Sequence, residues 1–368
     1  MSVREAFVHR LAARSPDDVS VLAAAIASGA IDASAIVAIL GKTEGNGLVN
    51  DFSRGLAARA AAAELARHIG AAAAARVCLV MSGGTEGALS PHLTVLEVRA
   101  SAASPQAGAL AIGCAHTPDL AAGHLGRLGQ VDMVAAGVAA AMADAGIADP
   151  ADVHFVQVKC PLLTAEKVRA AQARGVALAT RDTLKSMAFS RGASALGVAV
   201  ALGEVARAQL ADDAICADWS LHSSRASASA GVELLGHEIV VLGTAPGWSG
   251  PLRIASALMR DAIDIEPVRA ALARLGLAAP GQLAPAQQSR LKALLAKAEA
   301  SSSGELRGRR HAMLGDGDIS PTRHARGFVG GALAALVGHA EIYVSGGAEH
   351  QGPDGGGPVC IIASEDGP

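Results

Sequence analysis

Three short motifs recur three times along this 368-residue chain, always in the same order. The first is a lysine after an apolar run, the second is an Arg-Gly pair beside an Ala-rich stretch, and the third is Ser-small-Gly-x-Glu. Such ordered self-similarity indicates repeated supersecondary units that stack against one another. The motif residues are Lys42, Lys159 and Lys297; Arg54, Arg191 and Arg326; and Ser82, Ser229 and Ser345.

Each repeat carries both helix and strand signals, so the predicted fold class is α/β. Ala-rich stretches with strong helix formers predict helices over 55–69, 192–209 and 327–338. Short β-rich runs predict strands over 76–81, 93–98, 238–242 and 359–363. We expect three structurally similar α/β units, 1–103, 110–248 and 253–368, around a pseudo-three-fold axis with the active site at its centre.

Composition and charge exclude several classes of protein. Aromatic residues are only 2% of the chain, too few for the stacking platforms of single-stranded nucleic-acid modules. The net charge is −3 and no basic stripe marks a nucleic-acid partner. No segment is typical of a secretory signal or a membrane span. Five cysteines without a CxxC pair favour free thiols and a cytoplasmic protein.

Three-fold convergence of the motifs has a chemical consequence. Clustered, buried lysines repel each other and lose hydration, so at least one amine should have a lowered pKa. A neutral amine beside a hydroxyl is the Ser-Lys form of nucleophile activation. The small residues after the serines, Gly83, Ala230 and Gly346, should leave backbone N–H groups open to a substrate oxygen. The arginines add forks of donors for carbonyl oxygens.

Other motifs are incomplete, with one exception near the C-terminus. The segment Gly41-Lys42-Thr43 lacks the first glycine of a P-loop, and His237-Glu238 is not followed by the second histidine of a zinc motif. The Gly/Pro-rich segment 348–358 offers many backbone carbonyls, which a hard cation accepts, and Glu299 could add a carboxylate.

The three sets of motifs, together with the string SGGAEHQGPDGGGP at 345–358, closely resemble the cyanuric acid hydrolase and barbiturase family over the whole chain. The resemblance implies hydrolytic opening of a cyclic amide, and it is greatest to the cyanuric acid hydrolases, with barbiturase activity as the alternative. It further implies a homotetramer with a small cyclic imide as its ligand. A non-catalytic binder of cyclic imides is the alternative from another class.

The resemblance also implies a role for each motif residue. Ser229 would be the nucleophile and Lys159 its base. Substrate would be held by Lys42, Lys297, Arg54, Arg191, Arg326, Ser82, Gly83, Ala230, Ser345 and Gly346. No cofactor is implied for the chemistry, but a structural Mg²⁺ or Ca²⁺ would lie at Glu299, Ala348, Gln351, Gly352, Pro353 and Gly356. Competing candidates are Ser223, Ser224 and Ser227 for the nucleophile and Lys292 for Lys297.

Overall fold

The strands of this protein fall mainly into three sheets, each built from one continuous part of the chain. The structure is a computed structural model that describes residues 2–365. We call the three parts unit A (residues 4–100), unit B (residues 110–244) and unit C (residues 252–364). Helices alternate with strands in all three units, so the predicted α/β class is confirmed.

The elements of each unit follow one another in a similar order. Unit A consists of β1 (Arg4–Ala12), α1 (Ser20–Ala27), β2 (Ile36–Thr43), α2 (Phe52–Ile69), α3 (Ala71–Ala74), β3 (Cys78–Gly83) and β4 (His92–Ala100). Unit B consists of β5 (Leu110–His116), α4 (Leu128–Ala145), β6 (Val153–Pro161), α5 (Ala165–Ala173), α6 (Thr183–Ala201), β7 (Ala226–Gly231) and β8 (Glu238–Thr244). After β9 (Trp248–Ser249), unit C consists of β10 (Leu252–Met259), α7 (Glu266–Arg274), α8 (Pro285–Arg290), β11 (Leu291–Ala298), β12 (Glu305–Leu306), β13 (Arg309–Arg310), α9 (Pro321–Val337), β14 (Tyr343–Gly346) and β15 (Gly357–Ser364).

The three sheets share one strand connectivity. Their orders are β3-β2-β4-β1, β7-β6-β8-β5 and β14-β11-β15-β10. In each sheet the first two strands of this order are parallel and the other neighbours are antiparallel. Each sheet also has a one-residue register shift near the start of its second strand in chain order, at Ile36/Ala38, Val153/Phe155 and Leu291/Ala293. Because such a shift sets which side chains reach each face, its recurrence gives the three lysine strands the same orientation.

The segment between units B and C is partly a strand. Strand β9 lies parallel to β1 at the edge of the first sheet. The Trp248 side chain is fully buried, and its indole N–H donates to the Ala145 carbonyl at 2.8 Å. This segment therefore joins units A and B as well as leading into unit C.

The helix predicted over 192–209 is wrong in its bounds. The structure has α6 at Thr183–Ala201, because the Asp182 carboxylate accepts from the N–H groups of Leu184 and Lys185 and caps an earlier start. Gly203, with φ of 70°, follows the end of the helix. The other two predicted helices are confirmed with earlier starts, at Asp51 and Ser320 caps. The predicted strands are all present, although β3 begins at Cys78 rather than at residue 76.

The core has one central part and outer parts under the helices. A central apolar cluster takes residues from all three sheets, for example Leu40, Val158 and Leu295. Separate clusters lie between the sheets of units A and C and their helices, and a further cluster lies between α4, α6 and the segment that follows α6. Ala38 and Leu40 belong to the central cluster whereas Ile39 belongs to an outer one, so alternation along β2 directs Lys42 inward. Within residues 2–365, no helix is long and apolar enough to cross a membrane.

Candidate active site

The motif lysines and serines are paired in the same register in every unit. Lys42 lies opposite Ser82 across β2 and β3, Lys159 opposite Ser229 across β6 and β7, and Lys297 opposite Ser345 across β11 and β14. Neighbouring strands are about 4.8 Å apart and paired residues project from the same face. Each amine therefore shares a face with the hydroxyl of its own unit. All six side chains are at most 6% exposed.

Two of the amines also bind the neighbouring unit. Lys159 Nζ donates to the Met81 carbonyl of unit A at 2.5 Å, and Lys297 Nζ donates to the Ala228 carbonyl of unit B at 2.7 Å. Met81 and Ala228 each precede a motif serine, so both contacts place a lysine of one unit beside the serine strand of another. The structure thus brings the motif residues of different units together, as convergence requires.

Burial lowers the pKa of all three amines. The pKa values of Lys42 and Lys297 fall well below the ordinary value. The pKa of Lys159 also falls through burial, but the carboxylate of Glu233, 2.7 Å from its Nζ, favours the ammonium form and opposes the effect. The predicted depression of lysine pKa is therefore present. Lys159 is the lysine whose positive charge has the closest counter-ion.

The three hydroxyls differ in how they are engaged. Ser345 Oγ accepts from Lys297 Nζ at 3.1 Å. The Ser229 hydroxyl has no hydrogen-bond partner among residues 2–365, and Ser229 is 6% exposed against 3% for Ser82 and 1% for Ser345. A nucleophile must be reachable and not committed to another group. The free hydroxyl distinguishes Ser229 from Ser345, and its greater exposure distinguishes it from both other motif serines.

The motif arginines form a closed cycle of ion pairs between units. Arg191 of unit B holds Glu349 of unit C through two bonds of 2.8 and 2.6 Å. Arg326 of unit C holds Glu86 of unit A through bonds of 2.6 and 2.5 Å. Arg54 of unit A lies 3.9 Å from Glu233 of unit B. Each glutamate is the last residue of a Ser-small-Gly-x-Glu motif, and sequence reasoning gave it no role although its recurrence was visible.

The cycle leaves donors for a ligand. Arg191 and Arg326 use Nε and Nη2 for their glutamates, and neither Nη1 makes a hydrogen bond within the described part of the chain. Arg54 differs, because its Nη groups bind the carbonyls of Ala230 at 2.9 Å and Leu48 at 2.7 Å. The binding of substrate carbonyls by the arginines stays a prediction. Arg191 and Arg326 each have an Nη1 group available for such a bond.

The small residues after the serines have a packing reason as well. A Cβ on Gly83 would lie 1.7 Å from Asp51 Oδ2, and a Cβ on Gly346 would lie 2.4 Å from Thr322 Cγ2. Their carbonyls accept from Lys42 Nζ at 3.3 Å and Lys297 Nζ at 3.1 Å. Close approach therefore requires glycine at both positions whether or not their N–H groups bind substrate.

The competing candidates have other partners or positions. Ser223 Oγ accepts from the N–H groups of Arg225 and Ala226, and Ser224 Oγ donates to Glu204. Lys292 lies near the opposite end of β11 from Lys297, and its Nζ donates to the Ser289 carbonyl. Ser227 lies on β7 opposite Gln157 rather than opposite a lysine. We therefore keep Ser229 as the motif serine of unit B and Lys297 as the motif lysine of unit C.

The residues predicted to hold a divalent cation lie where β11 and β14 of the third sheet end. Glu299 directly follows β11, and the segment 347–356 joins β14 and β15, which flank β11. Thr322 Oγ1 donates to the Glu299 carboxylate at 2.8 Å. Burial, reinforced by the nearby Glu349 carboxylate, raises the pKa of Glu299. A cation would relieve this unfavourable burial, so one carboxylate with backbone carbonyls fits a hard ion. Residues 2–365 contain no group of three or more His, Cys, Asp or Glu side chains suited to a metal.

Three like sheets with buried amines beside hydroxyls provide the groups that hydrolases of the Ser-Lys kind use. Comparison with known proteins gives the family. The family model described as amidohydrolase ring-opening protein matches residues 7–364. The cyanuric acid amidohydrolase of Bradyrhizobium sp. (strain ORS 375) is 62% identical over 365 residues, covering 98% of this chain and 98% of that protein. The corresponding protein of Azorhizobium caulinodans is 65% identical, covering 97% and 98%.

Solved structures agree with these relatives. The crystal structure of the cyanuric acid hydrolase from A. caulinodans has a TM-score of 0.92 and 63% identity, covering 99% of this chain and all of that one. A second cyanuric acid hydrolase structure has a TM-score of 0.94 and 47% identity, covering 98% of this chain and all of that one. This chain belongs to the ring-opening amidohydrolase family, and it is a hydrolase of cyclic amide C–N bonds.

Proposed function

We propose that this protein is a cyanuric acid amidohydrolase that opens the ring with the Ser229–Lys159 pair. The observation that carries the proposal is the register of β6 and β7, which sets an unengaged hydroxyl opposite a buried amine. Relatives of 62 and 65% identity with that activity support the choice of substrate. We further propose that the three like sheets surround a pseudo-three-fold axis, which would match a planar substrate of three-fold symmetry.

The first step is acylation of Ser229. Lys159, in its neutral form, takes the hydroxyl proton while the oxygen attacks a ring carbonyl. Donors around the site stabilise the oxyanion, and the loss of one such donor typically costs about 2.7–4 kcal/mol in barrier. The ring C–N bond then breaks, and Lys159 returns the proton to the leaving nitrogen. The chain of three carbonyls stays attached to Ser229, so no fragment leaves at this stage.

Water completes the reaction. Lys159 takes a proton from water, the hydroxide attacks the acyl group, and the same proton restores the Ser229 hydroxyl. The product is carboxybiuret, a carbamic acid that loses CO2 to give biuret. Lys42, Lys297, Arg191 and Arg326 would hold the two carbonyls that are not under attack, and Ser82 and Ser345 would bind ring N–H groups.

The remaining features of the proposal are structural. A Mg²⁺ or Ca²⁺ ion would be held by Glu299 and the carbonyls of segment 347–356, where it would fix that loop and take no part in the chemistry. We propose a homotetramer that acts in the cytoplasm. Exposed apolar side chains at the starts of helices, such as Phe52 at 79% and Leu184 at 52% exposure, could lie in subunit contacts. Light scattering should give four times the mass of one chain.

The test is a side-by-side assay on cyanuric acid and barbituric acid, following the loss of ring absorbance. We expect turnover of cyanuric acid at a higher kcat/KM than of barbituric acid, and no turnover by S229A. S224A is the matched control, since it removes a neighbouring hydroxyl outside the three paired positions. A preference for barbituric acid would replace the proposal by barbiturase activity. Binding of either compound by the wild type without turnover would replace it by a non-catalytic binder of cyclic imides.

A further inference from the structure

Unit B differs from the other two units in the residues that follow its lysine across the sheet, on the side away from the serine. Across the antiparallel pair of β6 and β8, Lys159 is paired with Glu238. Across β8 and β5, Glu238 is paired with His116. Because directly paired residues share a face, Ser229, Lys159, Glu238 and His116 form one polar row across the whole sheet.

The corresponding row in unit A ends one residue beyond the lysine, at a buried histidine, and the row in unit C does not extend beyond the lysine. Lys42 is paired with His92, which is 1% exposed and bonded to the Ser90 carbonyl at 2.8 Å, and the next residue in the row is Ala12. Burial lowers the pKa of His92 to about 4, so this imidazole stays neutral at ordinary pH. In unit C the ladder between β11 and β15 ends at Ala296 opposite Val359, before it reaches Lys297, within the described residues.

The row in unit B leads outward. Lys159 is fully buried, the Glu238 side chain is 20% exposed and the His116 side chain is 38% exposed. A cavity of about 330 Å³ between α2 and unit B is lined by Lys159, Glu233 and Glu238 together. A cavity of this size with four charged side chains in its lining accepts several water molecules, which can bridge the amine and the carboxyl groups.

From this row and cavity we propose that Glu238 is a positioning residue that exchanges protons between Lys159 and solvent, with His116 as the outer member of the relay. The inference rests on the proposed function. Lys159 must be neutral when Ser229 attacks, whereas the Glu233 carboxylate, 2.7 Å from its Nζ, favours the ammonium form. Moreover, ionisation of the carbamic acid product releases a proton into the site once per turnover.

The proton transfer balances in charge and atoms. The Lys159 ammonium gives a proton, through cavity water, to the Glu238 carboxylate, which leaves a neutral amine and a carboxylic acid. The acid then gives the proton to the His116 imidazole, whose Nε2 is 3.9 Å from Glu238 Oε1, or directly to water, and the proton passes to solvent. Glu238 returns to the carboxylate form, ready for the next turnover.

The surroundings of Glu238 suit this exchange. Burial raises its pKa to about 7, against the opposing effects of the Leu79 N–H, which donates at 2.8 Å, and of Lys159. A group with a pKa near the working pH both accepts and releases protons readily. The other titratable groups facing it are Glu233 from the segment after β7, Arg59 from α2, His116 from β5, and Cys78 from β3 beside His116.

The test compares the wild type, E238Q and E64Q with cyanuric acid over a range of pH in dilute buffer. Glutamine keeps the shape of Glu238 and can still accept from the Leu79 N–H. We expect kcat of E238Q to fall roughly ten-fold, and an acidic limb with its midpoint near 7 in the wild type to disappear. Glu64 is another buried glutamate, paired with Arg67 and His68, so E64Q controls for loss of a buried carboxylate.

Rescue by added buffer separates proton exchange from a structural effect. Imidazole should raise kcat of E238Q several-fold without changing kcat of the wild type or E64Q, and E238D should retain the acidic limb. An E238Q enzyme with the wild-type pH profile and no response to imidazole would overturn the relay while leaving the Ser229–Lys159 proposal intact. If E238Q does not fold, H116Q is used in its place, and imidazole should raise the kcat of H116Q as well. A wild type that does not turn over cyanuric acid would overturn both proposals.

Discussion

Removing one partner of the inter-unit ion pair of Arg191 and Glu349 should destabilise the protein far more than removing one partner of an exposed pair of the same geometry. Its side chains are 11 and 12% exposed, and its two bonds are 2.8 and 2.6 Å long. Although burial raises the pKa of Glu349, Arg191 brings it below the ordinary value. Replacing only Arg191 by methionine leaves a buried carboxylate without a counter-ion, which typically costs about 3–5 kcal/mol.

The assay is urea unfolding followed by circular dichroism. With a slope of about 3 kcal/mol per molar urea, R191M should lower the midpoint by about 1 M or more. The matched control is R207M, because Arg207 and Asp132 also form two bonds, of 2.5 and 3.0 Å, but their side chains are 40 and 55% exposed. An exposed pair contributes at most about 1 kcal/mol, so R207M should lower the midpoint by roughly 0.3 M or less.

A double variant completes the argument. R191M/E349M removes both charges and should regain at least half of the stability lost in R191M, since no unpaired charge is left buried. Equal shifts for R191M and R207M, or losses that simply add in the double variant, would refute the assignment of this pair as a buried, coupled contact between units B and C.

Three further predictions concern other parts of the chain. Burial lowers the pKa of His237 from 6.5 to about 4, so the unfolded chain binds more protons between these values. This group alone should remove about 3 kcal/mol of stability as pH drops through this window, and urea unfolding at each pH should show a loss that is smaller by about this amount in H237Q. G83A should lower the thermal midpoint, because its Cβ would lie 1.7 Å from Asp51 Oδ2, with a cost of about 1–3 kcal/mol; G281A, whose Cβ meets nothing within 4 Å, is the control. EDTA should lower the thermal midpoint of the wild type, and Mg²⁺ or Ca²⁺ should restore it, with about 2.7 kcal/mol gained at a hundred-fold excess over Kd. The thermal midpoint of E299Q should respond neither to EDTA nor to the ions. A pH profile of H237Q equal to that of the wild type, or an unchanged midpoint in G83A or in the wild type with EDTA, would contradict the respective prediction.

The sequence predicts the repeated α/β organisation because order and spacing are properties of the chain itself. Lys159 and Ser229 are separated by 70 positions, yet their recurrence in three copies links them before any contact is known. The ends of α6 were harder to predict, since Ala-rich composition continues beyond Ala201 and the decisive Asp182 cap lies nine residues before Arg191.

The cross-unit contacts could not be predicted from local patterns. Arg191 and Glu349 are 158 positions apart, and Arg326 and Glu86 are 240 apart, so only the packing of units shows that each arginine meets the next unit's glutamate. Glu238 carries no signal of its own, because its place opposite Lys159 depends on the register of β8 against β6. Its neighbour His237 attracted notice only as part of an incomplete zinc motif.

The central claim, that Ser229 attacks the ring, is tested most directly by the mass of protein quenched in acid during turnover of cyanuric acid. Ring opening releases no fragment, so the acylated chain should gain the mass of one whole substrate molecule. Peptide mapping should place this addition on Ser229 in the wild type, and S229A should show none. An adduct on Ser82 or Ser345, or turnover by S229A at the wild-type rate, would contradict the account.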